Sequence, residues 1–324
     1  MSRLFTIIYC ISVCVGQVVN AQYDFDAVEK NRMAKAKVKT QTQYTHDFVD
    51  GKPSEKGYKS AVTKYNTNGD VTEIVNYNGE GKVISLVVYQ YDSKGNRINH
   101  ERYQGNREKL QYSQKIVYDA NNNKNRESGF DGASMYSNTY KYDEAGKLIE
   151  ITYMVDNALV EKRKLTHSGN KMTIQIFDPN NKLIFKQENI YDANRQLVSE
   201  VKTGGTENVI HTVDLLYNNT GGLLEETKKR TGEILEYKKL YFYDNANHLL
   251  REEIVNLDGT KYISHEYQYN SLGDLALESW KKNSKAKENS TKEIKYDSKG
   301  LYTETDCYFA SYKLRSLYKY TYEF

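Results

Sequence analysis

The stretch Tyr140-Lys-Tyr-Asp-Glu-Ala-Gly-Lys-Leu-Ile-Glu150 is one copy of a unit that recurs along most of the chain. In each copy a tyrosine opens a turn segment, and these tyrosines are Tyr65, Tyr91, Tyr118, Tyr142, Tyr191, Tyr217, Tyr243, Tyr269 and Tyr296. Successive spacings are 26, 27, 24, 49, 26, 26, 26 and 27 residues, and the interval of 49 divides at a degenerate copy, His167-Ser-Gly-Asn170. The chain therefore contains about ten tandem repeats of about 26 residues each.

The segment after each tyrosine has the composition of a tight turn. An Asp or Asn side chain bonds the backbone ahead of it, and Gly three residues later supplies a positive φ. Asn122 and Asn247 replace that glycine in two copies, and asparagine tolerates this conformation well. Arg195 stands at the same position in a third copy, which the turn chemistry does not explain.

Alternation between the turns indicates antiparallel strands. Each repeat tyrosine shares a strand face with the residue two before it, as Tyr142 does with Tyr140, and an apolar residue such as Leu148 returns six positions later. A second turn signal half-way through the period, such as Leu257-Asp-Gly259, leaves strands of about eight residues. The pattern predicts an all-β fold, a single continuous antiparallel meander of about twenty strands built from hairpin repeats.

A sheet of this length should coil. Twisted sheets seldom exceed about ten strands without curling, so we expect residues 58–324 to form a spiral or open shell with the tyrosines and leucines inward. Residues 22–57 depart from the repeat, with a short helix predicted over 26–38 and a strand over 38–48, and we interpret them as an N-terminal cap segment. The last strand, which contains Tyr318, Tyr320 and Tyr322, then has an uncovered edge that predicts self-association or pairing with a partner strand.

The pattern Tyr-x-Tyr-Asp-x-x-Gly-x-Leu-x-x-Glu, complete at Tyr140–Glu150 and begun again at Tyr89–Gly95, resembles the YD repeats of the RHS and teneurin families. In those families the repeats form a β-strip that spirals into a shell around or beside another domain, so the resemblance implies a scaffold. This chain has a longer period, too few copies for a large container, and no segment that reads as an effector domain. It is also similar, more weakly, to exported tyrosine-rich MORN-like repeat proteins.

The first 21 residues read as a signal peptide. Arg3 provides the positive start, residues 4–15 form an apolar stretch too short to span a bilayer, and Val19-Asn20-Ala21 predicts cleavage after Ala21. A lipoprotein anchor at Cys14 is the alternative, although Val13 precedes it where a small residue is expected. No second apolar run of membrane length follows, so we predict no transmembrane segment and an exported protein, periplasmic or extracellular.

Residues that carry chemistry are scattered through the repeats. The six histidines lie in different copies, at positions 46, 100, 167, 211, 248 and 265, without metal-ligand spacing. Cys307 remains alone after the signal, which predicts a packed apolar side chain and not a nucleophile. Asp119-Ala-Asn-Asn-Asn123 begins like a calcium loop, but Lys124 and Phe130 stand where such loops need Gly and Glu. We expect no catalytic residues, no metal and no cofactor.

Charge and tyrosine content restrict the partners. The formal net charge of +3 is spread over interspersed charges, which argues against a nucleic-acid partner. The thirty tyrosines either pack the sheet, the preferred interpretation, or stack on sugar rings. Trp280 departs from the repeat beside Lys281 and Lys282, in a segment that is either a ligand contact or a solvated loop.

Three classes of function remain. We predict a non-enzymatic extracytoplasmic scaffold or binding module for a protein or glycan ligand, with no ligand-binding residue assigned. The alternative is a component of an RHS-like toxin or cell-surface assembly, which would need a partner that carries the effector. A glycan-active enzyme is the third class, and it would need a pair of carboxylates in one cleft.

Overall fold

A computed structural model describes residues 25–204 and 210–324, so the predicted signal peptide lies outside the described residues. One α-helix, α1 (Phe25–Ala36), precedes the strands, and a 3-10 helix spans Ala310–Tyr312. The strands are β1 (Thr40–Val49), β2 (Lys52–Pro53), β3 (Tyr58–Tyr65), β4 (Val71–Tyr77), β5 (Val83–Tyr91), β6 (Arg97–Gln104), β7 (Lys109–Tyr118), β8 (Lys124–Phe130), β9 (Met135–Tyr142), β10 (Leu148–Val155), β11 (Ala158–Ser168), β12 (Lys171–Phe177), β13 (Leu183–Tyr191), β14 (Leu197–Gly204), β15 (Ile210–Tyr217), β16 (Leu223–Arg230), β17 (Ile234–Tyr243), β18 (Leu249–Val255), β19 (Lys261–Tyr269), β20 (Leu275–Trp280), β21 (Ser290–Tyr296), β22 (Tyr302–Phe309) and β23 (Leu314–Glu323).

Twenty-two of these strands close into an antiparallel barrel. From β3 to β23 each strand pairs with the next one along the chain. Strand β1 completes the circuit, because it pairs with β3 on one side and with β23 on the other. The β1–β23 ladder runs from Thr40↔Glu323 to Asp47↔Ser316. Strand β2 pairs only with the end of β1 and forms a small ribbon at the rim.

The expectation of a spiral or open shell is therefore wrong, and so is that of an uncovered C-terminal edge. The strand predicted over 38–48 forms as Thr40–Val49, and the helix predicted over 26–38 forms as Phe25–Ala36, but β1 inserts between the first and last repeat strands. Sequence periodicity could not reveal this, since β1 lies outside the repeat. Closure is the favourable outcome because it satisfies the backbone groups of both edge strands, and full closure alone removes edges.

The repeat turns are built as their composition predicts. Asp92 Oδ1 accepts hydrogen bonds of 2.9 Å from the backbone N–H groups of Lys94 and Asn96, and Gly95 adopts φ +83°. Arg195 adopts φ +63° in an equivalent turn, in which its own N–H donates to the Asp192 carbonyl at 3.1 Å. The surrounding hydrogen bonds therefore hold Arg195 in the left-handed backbone conformation, which costs about 1–2 kcal/mol in residues other than glycine.

Helix α1 identifies the inner face of the wall. Lys30 pairs with Asp70 at 2.5 Å, just before β4, and Arg32 pairs with Asp274, just before β20. Six strand spacings, about 29 Å of wall, separate these two turns along the barrel, yet Lys30 and Arg32 are two residues apart on one helix. The wall must curve around α1, so the face that α1 contacts is the inner one. Tyr65 packs against the helix, which places the repeat tyrosines on this inner face.

The barrel wall is one sheet thick and encloses a lumen. Only twelve apolar side chains of the described residues are buried, far fewer than a packed interior would hold. The largest buried cluster, Ile151, Leu165, Met172 and Ile174, lies on the inner face of β10–β12. A helix about 10 Å in diameter cannot fill the space bounded by 22 strands spaced about 4.8 Å apart. Helix α1 lies at the major rim, the barrel end formed by the turns that follow the repeat tyrosines.

Candidate ligand-binding wall of the lumen

Seven of the nine repeat tyrosines join successive hairpins through their hydroxyl groups. The Tyr91 hydroxyl donates to the carbonyl oxygen of Val71, and that of Tyr243 to the carbonyl oxygen of Leu223, both at 2.9 Å. Equivalent bonds are made by Tyr118, Tyr142, Tyr217, Tyr269, Tyr296 and Tyr322. In the degenerate copy His167 takes this place, with Nε2 3.0 Å from the carbonyl oxygen of Leu148. These tyrosines are therefore packed parts of the wall.

A second set of tyrosines, two residues before the repeat tyrosines, bonds to carboxylates on the inner face. The pairs are Tyr140–Glu127 at 3.2 Å, Tyr241–Glu226 at 3.1 Å and Tyr267–Glu252 at 2.8 Å. Each glutamate stands nine residues after its own repeat tyrosine, so the repeat places them at one level of the wall. Burial, followed by the Glu127 charge, raises the pKa of Tyr140 to about 12. The hydroxyl therefore stays a donor, and the carboxylate keeps free acceptor positions.

Strands β15 to β18 carry a polar part of the inner face, which we call the inner strip: His211, Glu226, Lys228, Glu236, Tyr237, Lys239, Tyr241 and Glu252. Lys228 Nζ lies 2.9 Å from Glu236 Oε2, and His211 Nδ1 lies 3.4 Å from the same oxygen. The hydrogen bond from Lys228 lowers the pKa of Glu236. Lys239 Nζ lies 5.4 Å from the centre of the Tyr237 ring. The strip combines aromatic rings with both charges, and its members are partly exposed.

Strands β16 and β17 also carry an ion pair on the outer face. Glu225 pairs with Lys238 at 2.7 Å. Glu225 stands opposite Leu216, whose neighbour Tyr217 faces inward, so this ion pair lies on the outside of the wall. Strands β16 and β17 therefore carry one ion pair inside the lumen and one outside it.

The six histidines lie apart, as their distribution in the sequence suggests. His46 Nδ1 lies 2.8 Å from the carbonyl oxygen of Ser54, and His100 stacks on Tyr89 with ring centres 4.6 Å apart. Burial, together with the nearby charges of Arg97 and Arg102, lowers the pKa of His100. Within residues 25–204 and 210–324, no group of three or more His, Cys, Asp or Glu is placed to hold a metal ion.

The remaining candidates from the sequence take structural places. Asp119 Oδ1 accepts the N–H of Asn123 at 2.8 Å, as the Asp or Asn does in the other eight turns after a repeat tyrosine, so the calcium-like segment forms an ordinary turn. Cys307 is buried. Trp280 ends β20 on the inner face opposite His265 and meets the edge of the Phe309 ring, with ring centres 6.0 Å apart. The adjacent lysines lie in the connection from β20 to β21.

Sequence reasoning missed the pairing partners of the inner strip. The recurring glutamates are visible in the repeat, but which of them face inward depends on the bulge in each hairpin. Glu225 and Glu226 illustrate this, since the register shift at Leu216/Tyr217 sends the first outward and the second inward. The inward and outward glutamates can be distinguished only when the register between neighbouring strands is known.

Comparisons with known proteins show resemblance at the level of solved structures. No family model and no curated protein matches the chain. A crystal structure of TcdB2–TccC3 is 14% identical over 84% of this chain and 15% of that chain, with a TM-score of 0.48. The Photorhabdus luminescens Tc holotoxin pore is 11% identical over 83% of this chain and 18% of that chain, with a TM-score of 0.29. A porin-like protein from Bacteroides uniformis is 13% identical over 65% of this chain and 96% of that chain, with a TM-score of 0.34.

This chain spans about 15% of the length of the TcdB2–TccC3 chain that it matches. Helix α1 has twelve residues, and the part of the chain that the structure describes contains no helix with the length and apolar content needed to cross a membrane.

Proposed function

We propose that this protein is an exported, non-catalytic binding barrel that holds a glycan chain against the inner strip of its lumen. The observation that carries the proposal is the closed wall, whose inner face sets partly exposed tyrosine rings beside carboxylates and lysines. Sugars offer C–H faces that stack on aromatic rings and hydroxyl groups that bond to charged acceptors and donors. Charge-assisted hydrogen bonds of this kind are about twice as strong as neutral ones.

Charged pairs on the outer face favour a barrel whose outside contacts water. Lysine–glutamate pairs recur on this face beside the repeat tyrosines: Lys64–Glu73 at 2.8 Å, Lys141–Glu150 at 2.8 Å and Lys295–Glu304 at 2.6 Å. The export of the protein rests on the predicted signal peptide, and the charged pairs on the outer face support a periplasmic or extracellular location.

The test compares two pairs of substitutions on the same two strands. The inner variant Lys228→Gln/Glu236→Gln and the outer variant Glu225→Gln/Lys238→Gln each remove one ion pair and conserve side-chain size. Glycan arrays identify a ligand for the wild-type barrel, and calorimetry measures its affinity. We expect the inner variant to lose affinity by about tenfold or more, since a hydrogen bond to a charged group contributes about 1.5–3 kcal/mol, while the outer variant binds as the wild type does.

Other outcomes identify other functions. Capture from the native envelope that retains a protein on the wild type and the outer variant, but not on the inner variant, would replace the glycan with a protein ligand. Cleavage of a bound glycan would contradict the non-catalytic role. Equal loss of affinity in both variants would show that the lumen is not the binding surface.

A further inference from the structure

Three turns of the major rim depart from the repeat where α1 lies against them. The residue five positions after the repeat tyrosine is Asp70, Asp274 or Leu301 in these turns, and these side chains are 7%, 6% and 1% exposed. Asp70 and Asp274 pair with Lys30 and Arg32 of the helix. Leu301 packs against Met33 and Val38. In most turns away from the helix the same position holds exposed or half-buried polar residues such as Lys147 and Gln196, and in one it holds the buried Gly222. The departures from the repeat form a socket for the helix.

A glycine of the first turn shows how closely the helix fits. A Cβ atom on Gly69 would lie 2.0 Å from the carbonyl oxygen of Lys30 and 2.9 Å from the nitrogen of Ala34. Gly146 holds the same place in another repeat turn, with φ +75° against +78° for Gly69, and its Cβ would meet nothing within 4 Å. Gly69 thus serves two purposes, the turn and the approach of the helix backbone, whereas Gly146 serves only the turn.

The attachment of the helix combines one small apolar cluster with charged pairs. Met33 is fully buried against Val38 and Leu301, and Arg32 lies over the Tyr296 ring at 5.3 Å. Lys30 remains 42% exposed, so salt screens its pair with Asp70. An isolated helix of twelve residues is only marginally stable in water, so α1 depends on its socket.

The segment that follows α1 contains a candidate hinge residue, Lys37, close to a residue that is held in place, Lys39. Lys37, directly after the helix, adopts φ +58°. Two residues later Lys39 is held on both sides, because its N–H donates to Glu323 at 2.8 Å and its carbonyl accepts from Tyr65 at 2.9 Å. Motion of the helix about Lys37 would therefore leave the β1–β23 ladder intact.

We propose that α1 is a reversible lid at the major rim, which detaches from its socket as a unit while the barrel stays closed. Docked, it occupies part of the lumen mouth; detached, it widens the mouth. This inference goes beyond the proposed ligand, because docking can be measured without any ligand present.

Hydrogen–deuterium exchange of the purified barrel tests the lid. Amides of residues 25–36 should exchange at least about tenfold faster than those of the β13–β18 wall, since local opening costs less than global unfolding. Raising NaCl from about 0.05 M to about 1 M should speed exchange in α1 only, because the Debye length falls to about 3 Å. Gly69→Ala should remove the protection of α1, while the control Gly146→Ala should keep it at the wild-type level.

A second variant tests the lid in case Gly69→Ala does not fold. Asp274→Asn conserves shape and removes one ion pair, so it should accelerate exchange in α1 and make it less sensitive to salt. The lid is overturned if α1 exchanges together with the wall at both salt concentrations, or if Gly146→Ala releases the helix as much as Gly69→Ala does. Loss of glycan binding without a change in α1 exchange would bear on the proposed function and not on the lid.

Discussion

Each repeat tyrosine has an apolar ring and one polar atom, and the wall uses both. The ring packs against its neighbours on the sheet, and in seven of the nine the hydroxyl bonds to a backbone carbonyl about twenty residues back. Phenylalanine would supply only the ring, which explains an excess of thirty tyrosines over nine phenylalanines. Sequence analysis could predict the packed role from periodicity, but not the carbonyl acceptor, which depends on the register between two hairpins.

The substitution Tyr243→Phe tests this bond. The carbonyl of Leu223 loses a donor while the ring stays in place, so we expect a loss of about 1 kcal/mol in the free energy of unfolding. Tyr312→Phe is the control, since Tyr312 is 81% exposed, and it should change stability by less than about 0.5 kcal/mol. Urea unfolding followed by circular dichroism measures both. Equal midpoints for the two variants would show that the hydroxyl contributes nothing to stability.

At the scale of secondary-structure elements, the sequence predicts the positions of the hairpin turns better than the contacts between the strands. The turns after Tyr91 and Tyr243 lie where the Asp-x-x-Gly or Asp-x-x-Asn pattern predicts them. The interior of a strand is harder to read, because a glycine there carries no turn signal. Gly129 lies within β8, and its lack of a side chain is explained only by its cross-strand neighbour in β7.

Gly129→Ala should separate these two strands. A Cβ atom at position 129 would lie 1.8 Å from the carbonyl oxygen of Ser113, so the backbones must move apart. Overpacking of this kind costs about 1–3 kcal/mol, and the amides of β7 and β8 should lose protection first. Ser128→Ala, one residue earlier on the opposite face, is the control, and we expect little change. The steric argument fails if the two variants melt at the same temperature.

For the whole molecule, the repeat predicts neighbours but not closure. Periodicity gives an antiparallel meander whose strands alternate in direction, and it says nothing about whether the ends meet. Closure depends on β1, which lies outside the repeat and fits between β3 and β23. The socket for α1 is hidden for a similar reason, because Asp70 and Asp274 lie far apart in sequence and meet one helix only in the closed barrel.

Closure makes the number of strands decisive, and two deletions test this. Removing Asn218–Tyr243 joins Tyr217 to Asp244 and takes away two strands, β16 and β17. Twenty strands of alternating direction remain, so β1 and β23 can still pair antiparallel. Neighbouring repeats supply most of the stability of such an array, so losing one costs only part of the total. We expect this variant to fold, to be secreted and to melt moderately lower.

Removing Asn218–Arg230 takes away only one strand, β16, and leaves twenty-one. With alternating directions around an odd number of strands, β1 would have to meet β23 parallel, or the barrel would stay open with two exposed edges. The strands beside the deletion also lose their register, which sends apolar residues to the wrong face. We expect degradation or a much lower melting temperature, measured by secretion yield and thermal unfolding. Equal melting temperatures for the two deletion variants would show that the number of strands does not matter. Closure of the barrel would then not be what stabilises the fold.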